Sequence, residues 1–318
     1  MAIISIIDTG YKSYSYEKKL FKKHGYDLQI YHGSTDLLEK SAFCKNSIGI
    51  LVRGTPIDVA FLNATPNLKA IVRYGTGYDN INLKEAEKRG IKVANVRKYA
   101  TQSVSDHALA LILSCTRMLA LAPRHMHRAF GTPPDEDIFE LHDKTLGIIG
   151  LGKIGSALSK KAQSLFKNIL ARDPYIEDLA FKNAGATKST LDNLLSKSHV
   201  ISMHCNLTGE TNHLLNPDAF SKMKKKPIIV NTSRGAVVDT LALLDALKQG
   251  KIHSAGLDVF EHEHDEMHRN EKILNHPRIQ CSGHYAWYSD ASSKELQQRA
   301  ANNMIALLKG EKIEDILV

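Results

Sequence analysis

Thr145-Leu146-Gly147-Ile148-Ile149-Gly150-Leu151-Gly152-Lys153-Ile154-Gly155 reads as an apolar strand that breaks into G-x-G-x-x-G and opens onto an Ala/Leu/Lys stretch of helical character. In the order strand, tight turn, helix, each glycine has a task. Gly150 permits the turn, Gly152 lets the backbone approach a pyrophosphate, and Gly155 lets the helix pack on the strand while amide N–H groups face the phosphates. A second apolar stretch, Asn168-Ile169-Leu170-Ala171-Arg172-Asp173, then places an acid near the expected spacing of about twenty residues. Asp173 suits the two ribose hydroxyls, which favours NAD. Arg172 beside it could reach a 2′-phosphate, but the Asp173 carboxylate would repel that phosphate, so NADP is the weaker expectation.

The same rhythm runs outward in both directions. Upstream, the apolar runs Ile3 to Ile7, Leu28 to Tyr31, Ile48 to Val52, Leu68 to Val72 and Ile91 to Val96 alternate with helix-compatible segments, predicting a parallel sheet. Downstream, Leu146 to Ile149, Ile169 to Ala171, Val200 to Met203, Ile228 to Val230, Ala255 to Val259 and Ile279 to Cys281 predict a second and larger one. Between them Ser105 to Ala122 reads as a long buried helix with Asp106 as its capping residue, broken at Pro123 and followed by a polar turn at Pro133-Pro134-Asp135-Glu136-Asp137. A last helix, Ser293 to Leu308, is expected to return to the first domain. The fold class is therefore α/β: two doubly wound parallel-sheet domains, a Rossmann dinucleotide-binding domain over residues 99–286 and a smaller, discontinuous, flavodoxin-like substrate domain over 1–98 and 287–318.

A chain of 318 residues, 43% hydrophobic and 24% charged, is long enough for two such domains with a cleft between them and too apolar for extended disorder. The net charge of +8 does not imply nucleic acid, because the cations are dispersed, with short clusters such as Lys224-Lys225-Lys226 and no aromatic-interleaved basic tract. Cys44, Cys115, Cys205 and Cys281 are far apart and contain no C-x-x-C pair, so neither a disulfide framework nor a zinc site is indicated and reduced thiols in the cytoplasm are expected. Met1 to Asp8 is a short apolar strand without a basic leader, and no run approaches eighteen apolar residues, so neither export nor a membrane is expected.

Three ionisable residues each follow an apolar run. Arg234 closes Ile228-Ile229-Val230-Asn231-Thr232-Ser233, at the strand end that faces the ligand crevice in doubly wound sheets. Its guanidinium can hold a carboxylate by two parallel bonds and polarise the adjacent carbonyl; a structural pairing with Asp239 or a helix end is the alternative. His284 follows the strand Arg278 to Cys281 and can give a proton to a carbonyl oxygen as hydride arrives. Glu263, in Asp258-Val259-Phe260-Glu261-His262-Glu263, offers the carboxylate that orients it and favours its protonated form. The run His262, Glu263, His264, Asp265, Glu266, His268 lacks a defined third ligand or the H-E-x-x-H order and is read as a solvated loop, with no metal expected. In the first domain, Arg73-Tyr74-Gly75-Thr76-Gly77-Tyr78-Asp79 can converge backbone amides on a carboxylate or be a plain turn, and Arg53-Gly54 ends a second strand beside it.

With these segments in view, the chain resembles the D-isomer-specific 2-hydroxyacid dehydrogenases along nearly its whole length. The motifs occur in order: Arg73 to Asn80, Asp106 to Leu113 (DHALALIL), the glycine fingerprint with Asp173, Asn231 to Asp239 (NTSRGAVVD), Ala255 to Glu261 (AGLDVFE) and His284. The resemblance implies that Arg234 binds and polarises the substrate, that Glu263 supports the imidazole and that His284 is the acid/base. It implies carboxylate binding by Tyr74, Gly75, Thr76 and Gly77. For the cofactor it implies Gly150, Gly152, Lys153, Ile154 and Gly155 at the pyrophosphate, Asp173 at the ribose, Cys205, Asn206, Thr211, Thr232 and Ser233 nearby, and Asp258 near the carboxamide. A homodimer is implied as well. Ala286-Trp287-Tyr288-Ser289 is similar to the branch that includes the C-terminal binding proteins, which are NAD-sensing corepressors. That branch would put Trp287 at the substrate and offers an interaction protein with vestigial catalysis as the alternative to an enzyme. His264, Gly283 and Asn206 stand where the family usually has proline, and the first two changes are expected to loosen the loops of Glu263 and His284.

Overall fold

The structure, a computed structural model, describes residues 1–119, 137–261, 263 and 271–318. Its contacts divide the chain into two compact units, Met1–Ala100 with Ser289–Val318, and Thr101–Tyr288.

The first unit holds β1 (Ala2–Ile6), β2 (Tyr26–Ile30), β3 (Ser47–Val52), β4 (Ala70–Arg73) and β5 (Lys92–Ala94) in a parallel sheet of order β2-β1-β3-β4-β5. That is the flavodoxin-like doubly wound order, whose direction reverses between β1 and β3. Ile50, Val52, Ile71 and Val93 are buried from the sheet into a core with Phe61 and Leu62. The closing helix, Asp290–Leu308, packs against β3 and β4 and against the helix Ser15–Lys23. It begins three residues before the expected Ser293. Ser289 and Ser292 form a reciprocal capping box there, and neither is part of an apolar pattern.

The second unit holds β6 (Thr145–Ile149), β7 (Asn168–Arg172), β8 (Thr187–Lys188), β9 (Val200–Met203), β10 (Ile228–Asn231), β11 (Ser254–Leu257) and β12 (Ile279–Cys281). The sheet is parallel in the order β12-β11-β10-β9-β6-β7-β8, a Rossmann sheet with one strand added beyond its usual edge. Its inner strands read as apolar runs because both faces are covered. On β10, Ile228 and Val230 join Leu111, Ile112 and Leu158 on one face, while Ile229 joins Phe220, Leu243 and Leu247 on the other.

The helix expected over Ser105 to Ala122 runs over Thr101–Thr116, and Asp106 is not its cap. The Ser105 hydroxyl already donates to the Thr101 carbonyl at 2.8 Å, so the helix is under way four residues earlier, through polar positions that carry no apolar signal. Asp106 lies exposed within it and accepts from Lys161 Nζ at 2.7 Å. Pro123 and the turn at Pro133 to Glu136 lie outside the described residues. Among the described residues no helix is long and apolar enough to cross a membrane.

Candidate active site

In the second unit the direction of winding reverses between β6 and β9, and ligands of open α/β sheets bind at the carboxyl ends of the strands beside such a reversal. The glycine turn leaves β6 at that point. Gly150 has φ +90°, and a Cβ on it would sit 2.5 Å from the Cys205 amide nitrogen at the end of β9. At Gly155 a Cβ would collide with the Gly150 carbonyl oxygen, so helix Lys153–Ala162 can lie this close to the turn only with glycine in both places. Gly152 is the helix N-cap, and a Cβ there would meet nothing within 4 Å. The helix N-terminus thus opens onto space at the one glycine a pyrophosphate would approach, with Lys153 exposed and Ile154 partly buried on its first turn.

Asp173 stands beside that turn. Its Oδ2 accepts from the Leu151 amide at 2.9 Å and its Oδ1 from the Tyr175 amide at 3.1 Å, and a carboxylate retains lone pairs for further donors. On the other flank the Thr211 hydroxyl donates to the Asn206 carbonyl at 2.6 Å and accepts from the Thr208 amide at 2.8 Å, which folds the loop after β9. Burial pushes the Cys205 thiol up to about 11, so it stays protonated. At the end of β10 the Thr232 hydroxyl is buried without a protein partner among the described residues, an orphan donor suited to a polar ligand group. Open glycine, helix terminus, ribose-spaced carboxylate and orphan hydroxyl together fit a dinucleotide.

His204 adjoins the same reversal and holds Ser202 Oγ at 2.8 Å. Burial pulls its imidazole down to about 4, so it stays neutral where an unfolded histidine, near 6.5, gains a proton. Between those values the unfolded chain binds more protons than the folded one, so stability declines as pH falls through that window and levels off below it. Melting temperatures followed from about pH 7 to 4 should show this decline flattened in a His204→Asn variant; an unaltered slope would assign it to other groups.

The three strand-end candidates are arranged as follows. His284 Nδ1 donates to Glu263 Oε2 at 2.6 Å, and Glu263 Oε1 accepts from the Phe260 amide at 2.9 Å. Glu263 is 20% exposed and His284 43%, so a screened carboxylate holds an imidazole that still reaches solvent. With Nδ1 occupied, Nε2 is left as the working nitrogen. Arg234 follows β10 and directs Nη1 at the Ser233 carbonyl, 2.8 Å away. Buried Asn231 staples this turn, donating to the Arg234 carbonyl at 2.8 Å and accepting from the Ser233 amide at 3.0 Å and hydroxyl at 2.9 Å. Asp239 caps helix Thr240–Lys248 through the Ala242 amide.

Asp258, 1% exposed, serves the loop after β12. Its Oδ1 accepts from the Ser282 hydroxyl at 2.6 Å and the Tyr285 amide at 3.1 Å, and its Oδ2 from the Ala286 amide at 3.0 Å. Motif reading placed Asp258 by the cofactor and did not reveal this organising role. Glu261 was also missed: it accepts from His213 Nε2 at 2.6 Å and from the Thr240 amide at 3.0 Å, tying the loop of Glu263 to its neighbours. The hydrogen bond to Glu261 outweighs desolvation and raises His213 above its ordinary value. Trp287 is partly buried, edge-on to Tyr288. Of the acidic histidine run, His262 and residues 264–268 lie outside the described residues, as does the proline replacement at His264.

In the first unit, the sequence's two strand-end loops differ in character. At Arg53-Gly54 the backbone amides of Arg53, Gly54 and Thr55 all donate to Asp8 Oδ2, at 2.7, 2.8 and 3.0 Å. Burial opposes charge on Asp8, but the Lys40 ammonium, the Thr55 hydroxyl and these amides outweigh it and hold the carboxyl far below its usual range. The nest is thus filled from within, and only the Arg53 side chain remains for a ligand. At the other loop Tyr74 is 1% exposed and its hydroxyl donates to Glu17 Oε1 at 3.1 Å, which also accepts from Gln297 at 2.8 Å. Tyr74 therefore anchors the loop by packing, and Gly75 to Gly77 offer backbone. The Gly75 carbonyl accepts from the Val96 amide at 3.0 Å, and Thr76 Oγ donates to the Val96 carbonyl at 3.2 Å.

Residues 109–286 match the family model of the D-isomer specific 2-hydroxyacid dehydrogenase, NAD binding domain. A glyoxylate reductase of Thermofilum pendens is 38% identical over 262 residues, 80% of this chain and 76% of its own length. Another, from Korarchaeum cryptofilum, is 34% identical over 279 residues, 86% of this chain and 83% of its own. Among solved structures, D-lactate dehydrogenase from Aquifex aeolicus, complexed with NAD and lactic acid, superposes with a TM-score of 0.87 at 29% identity, covering 97% of this chain and 96% of that one.

Proposed function

The chain belongs to the D-isomer specific 2-hydroxyacid dehydrogenases, an NAD-dependent family, and from that premise we propose that it reduces a small 2-oxo acid, glyoxylate first among them, with His284 as proton donor. The bond of 2.6 Å between His284 Nδ1 and Glu263 carries the reading, because it fixes the tautomer and orientation that an acid/base needs. When bound, NAD(H) supplies or takes up the hydride. Arg234 grips the carboxylate of the substrate and polarises its carbonyl, while His284 Nε2 delivers the proton to the carbonyl oxygen and recovers it in the reverse direction. In the first unit, Arg53 and the Tyr74, Gly75, Thr76, Gly77 loop are assigned to the substrate's carboxylate and side chain, as is Trp287 in the second. Gly150 to Gly155, Asp173, Cys205, Asn206, Thr211, Thr232, Ser233 and Asp258 are assigned to the dinucleotide. On these assignments the first unit is the substrate domain.

The choice of glyoxylate follows the two glyoxylate reductases, which are 34% and 38% identical over most of the chain; the D-lactate dehydrogenase supports pyruvate as the second acid to try. The assembled Glu263–His284 pair favours an enzyme over a corepressor-like sensor with vestigial catalysis. The four free thiols suit a reducing compartment, and we place the protein in the cytoplasm as a homodimer, for which light scattering of the purified protein is the check. Oxidation of NADH, followed by its near-ultraviolet absorbance across glyoxylate, pyruvate and hydroxypyruvate and repeated with NADPH, tests the whole assignment. Selective turnover of glyoxylate with NADH is expected. Tight NADH binding with no turnover of any acid would overturn it in favour of the sensor.

A further inference from the structure

We propose that His107 and Ser282 are positioning residues for the reaction: a hydrogen-bonded chain from the helix Thr101–Thr116 through Ser282 to Asp258 holds the loop that presents His284. The inference rests on the reading of His284 as proton donor and adds two residues to which no role has been given.

His107 Nε2 lies 2.8 Å from Ser282 Oγ, which lies 2.6 Å from Asp258 Oδ1. A serine hydroxyl has one proton, and an ionised carboxylate can only accept. Ser282 therefore donates to Asp258, and His107 must carry its proton on Nε2 and donate to Ser282. The order is His107 N–H to Ser282 O–H to Asp258. Beyond the carboxylate, the amides of Tyr285 and Ala286 are held at 3.1 and 3.0 Å, and the main-chain carbonyl of Asp258 accepts from the His284 amide at 2.7 Å. Asp258 thus brackets His284 on both sides.

That bracket has a conformation to impose. His284 has φ +54°, a left-handed backbone that an L residue with a bulky side chain adopts only when its surroundings enforce it. Gly283 precedes it, and a Cβ there would meet nothing within 4 Å, so the preceding residue brings no restraint of its own. The restraint comes from the helix. His107 belongs to the element whose Ala108, Leu111 and Ile112 are sunk in the core, and its ring stands edge-on to Tyr285 with centroids 5.3 Å apart. A rigid element thereby reaches the loop through an imidazole, and among the described residues the groups facing that imidazole are Ser282, Asp258 at 3.6 Å and Tyr285.

His107→Phe keeps the ring against Tyr285 and removes the donor. His107→Gln restores a donor at the reach of Nε2. For reduction of glyoxylate, His107→Phe is expected to lose about 10- to 100-fold in kcat, the scale of a displacement of about 1 Å at a reacting group. KM for glyoxylate should hold, because the loop aims the proton donor and not the arginine proposed to grip the carboxylate. NADH affinity, read by fluorescence, should hold as well, and His107→Gln should recover most of the rate. Unchanged kcat in His107→Phe would overturn the proposal, as would a loss carried by KM alone. So would a slower His107→Phe that His107→Gln does not rescue, since packing alone explains that pattern. If His107→Phe does not fold, Ser282→Ala, which breaks the same chain by removing one oxygen, decides by the same division between kcat and KM. Normal turnover in His284→Ala would instead remove the premise, and that result is separate from all of these.

Discussion

Replacing His284 by alanine is expected to lower turnover in both directions by about 10²- to 10⁴-fold, the usual worth of general acid/base catalysis, while leaving the fold and NADH binding in place. The side chain is 43% exposed and its bond goes to one carboxylate, so its loss removes chemistry and little packing. Glu263→Gln separates the two partners. The carboxylate accepts from His284 Nδ1 with one oxygen and from the Phe260 amide with the other, and glutamine has one oxygen for the two donors. One bond is lost and the ring is held less well, so Glu263→Gln is expected to lose about 10- to 100-fold in kcat in both directions with NADH affinity kept. Steady-state NADH assays in both directions check the loss. Turnover of His284→Ala within a few-fold of the parent would remove the histidine from the reaction.

The parallel strands were legible because burial on both faces turns each into a continuous apolar run, as β10 shows with Ile229 on one side and Ile228 and Val230 on the other. β8 left no such trace: it is two exposed residues, Thr187 and Lys188, on the sheet edge. The start of the helix at Thr101 was hidden for a related reason, since Thr101, Gln102 and Ser103 add backbone to the helix without adding to its apolar face. At the site, Glu263 and His284 were legible as strand-end ionisable residues whose chemistry is complementary. The organising role of Asp258 was not, because its partners Ser282, Tyr285 and Ala286 are 24 to 28 residues away and two of them offer only backbone amides, which are the same in every residue type. The Tyr74 loop shows the limit most plainly. Its sequence was read as either a carboxylate nest or a plain turn, and neither reading reveals the burial of the tyrosine, which depends on Glu17 and on Gln297 from the far end of the chain.

Arg234→Gln is expected to cost about 10²- to 10³-fold in kcat/KM, the range seen when a donor aimed at developing negative charge is removed. The turn supports that aim: Asn231 fixes the backbone on both sides of Ser233, and the Ser233 carbonyl fixes one guanidinium nitrogen. A planar fork held in this way can meet a carboxylate with two parallel bonds, whereas lysine offers a point charge on a flexible stem. Arg234→Lys should therefore regain only part of the loss. The division between constants says what the residue does. A raised KM at unchanged kcat would mean that Arg234 anchors the carboxylate equally in ground and transition states; a fall in both kcat and kcat/KM would mean that it also polarises the carbonyl as hydride arrives. The second result is expected, because the proposed role has one guanidinium serve both the carboxylate and the adjacent oxygen. Parent-like kcat and KM in Arg234→Gln would take the arginine out of the site and leave the carboxylate to Arg53 and the Gly75 to Gly77 backbone.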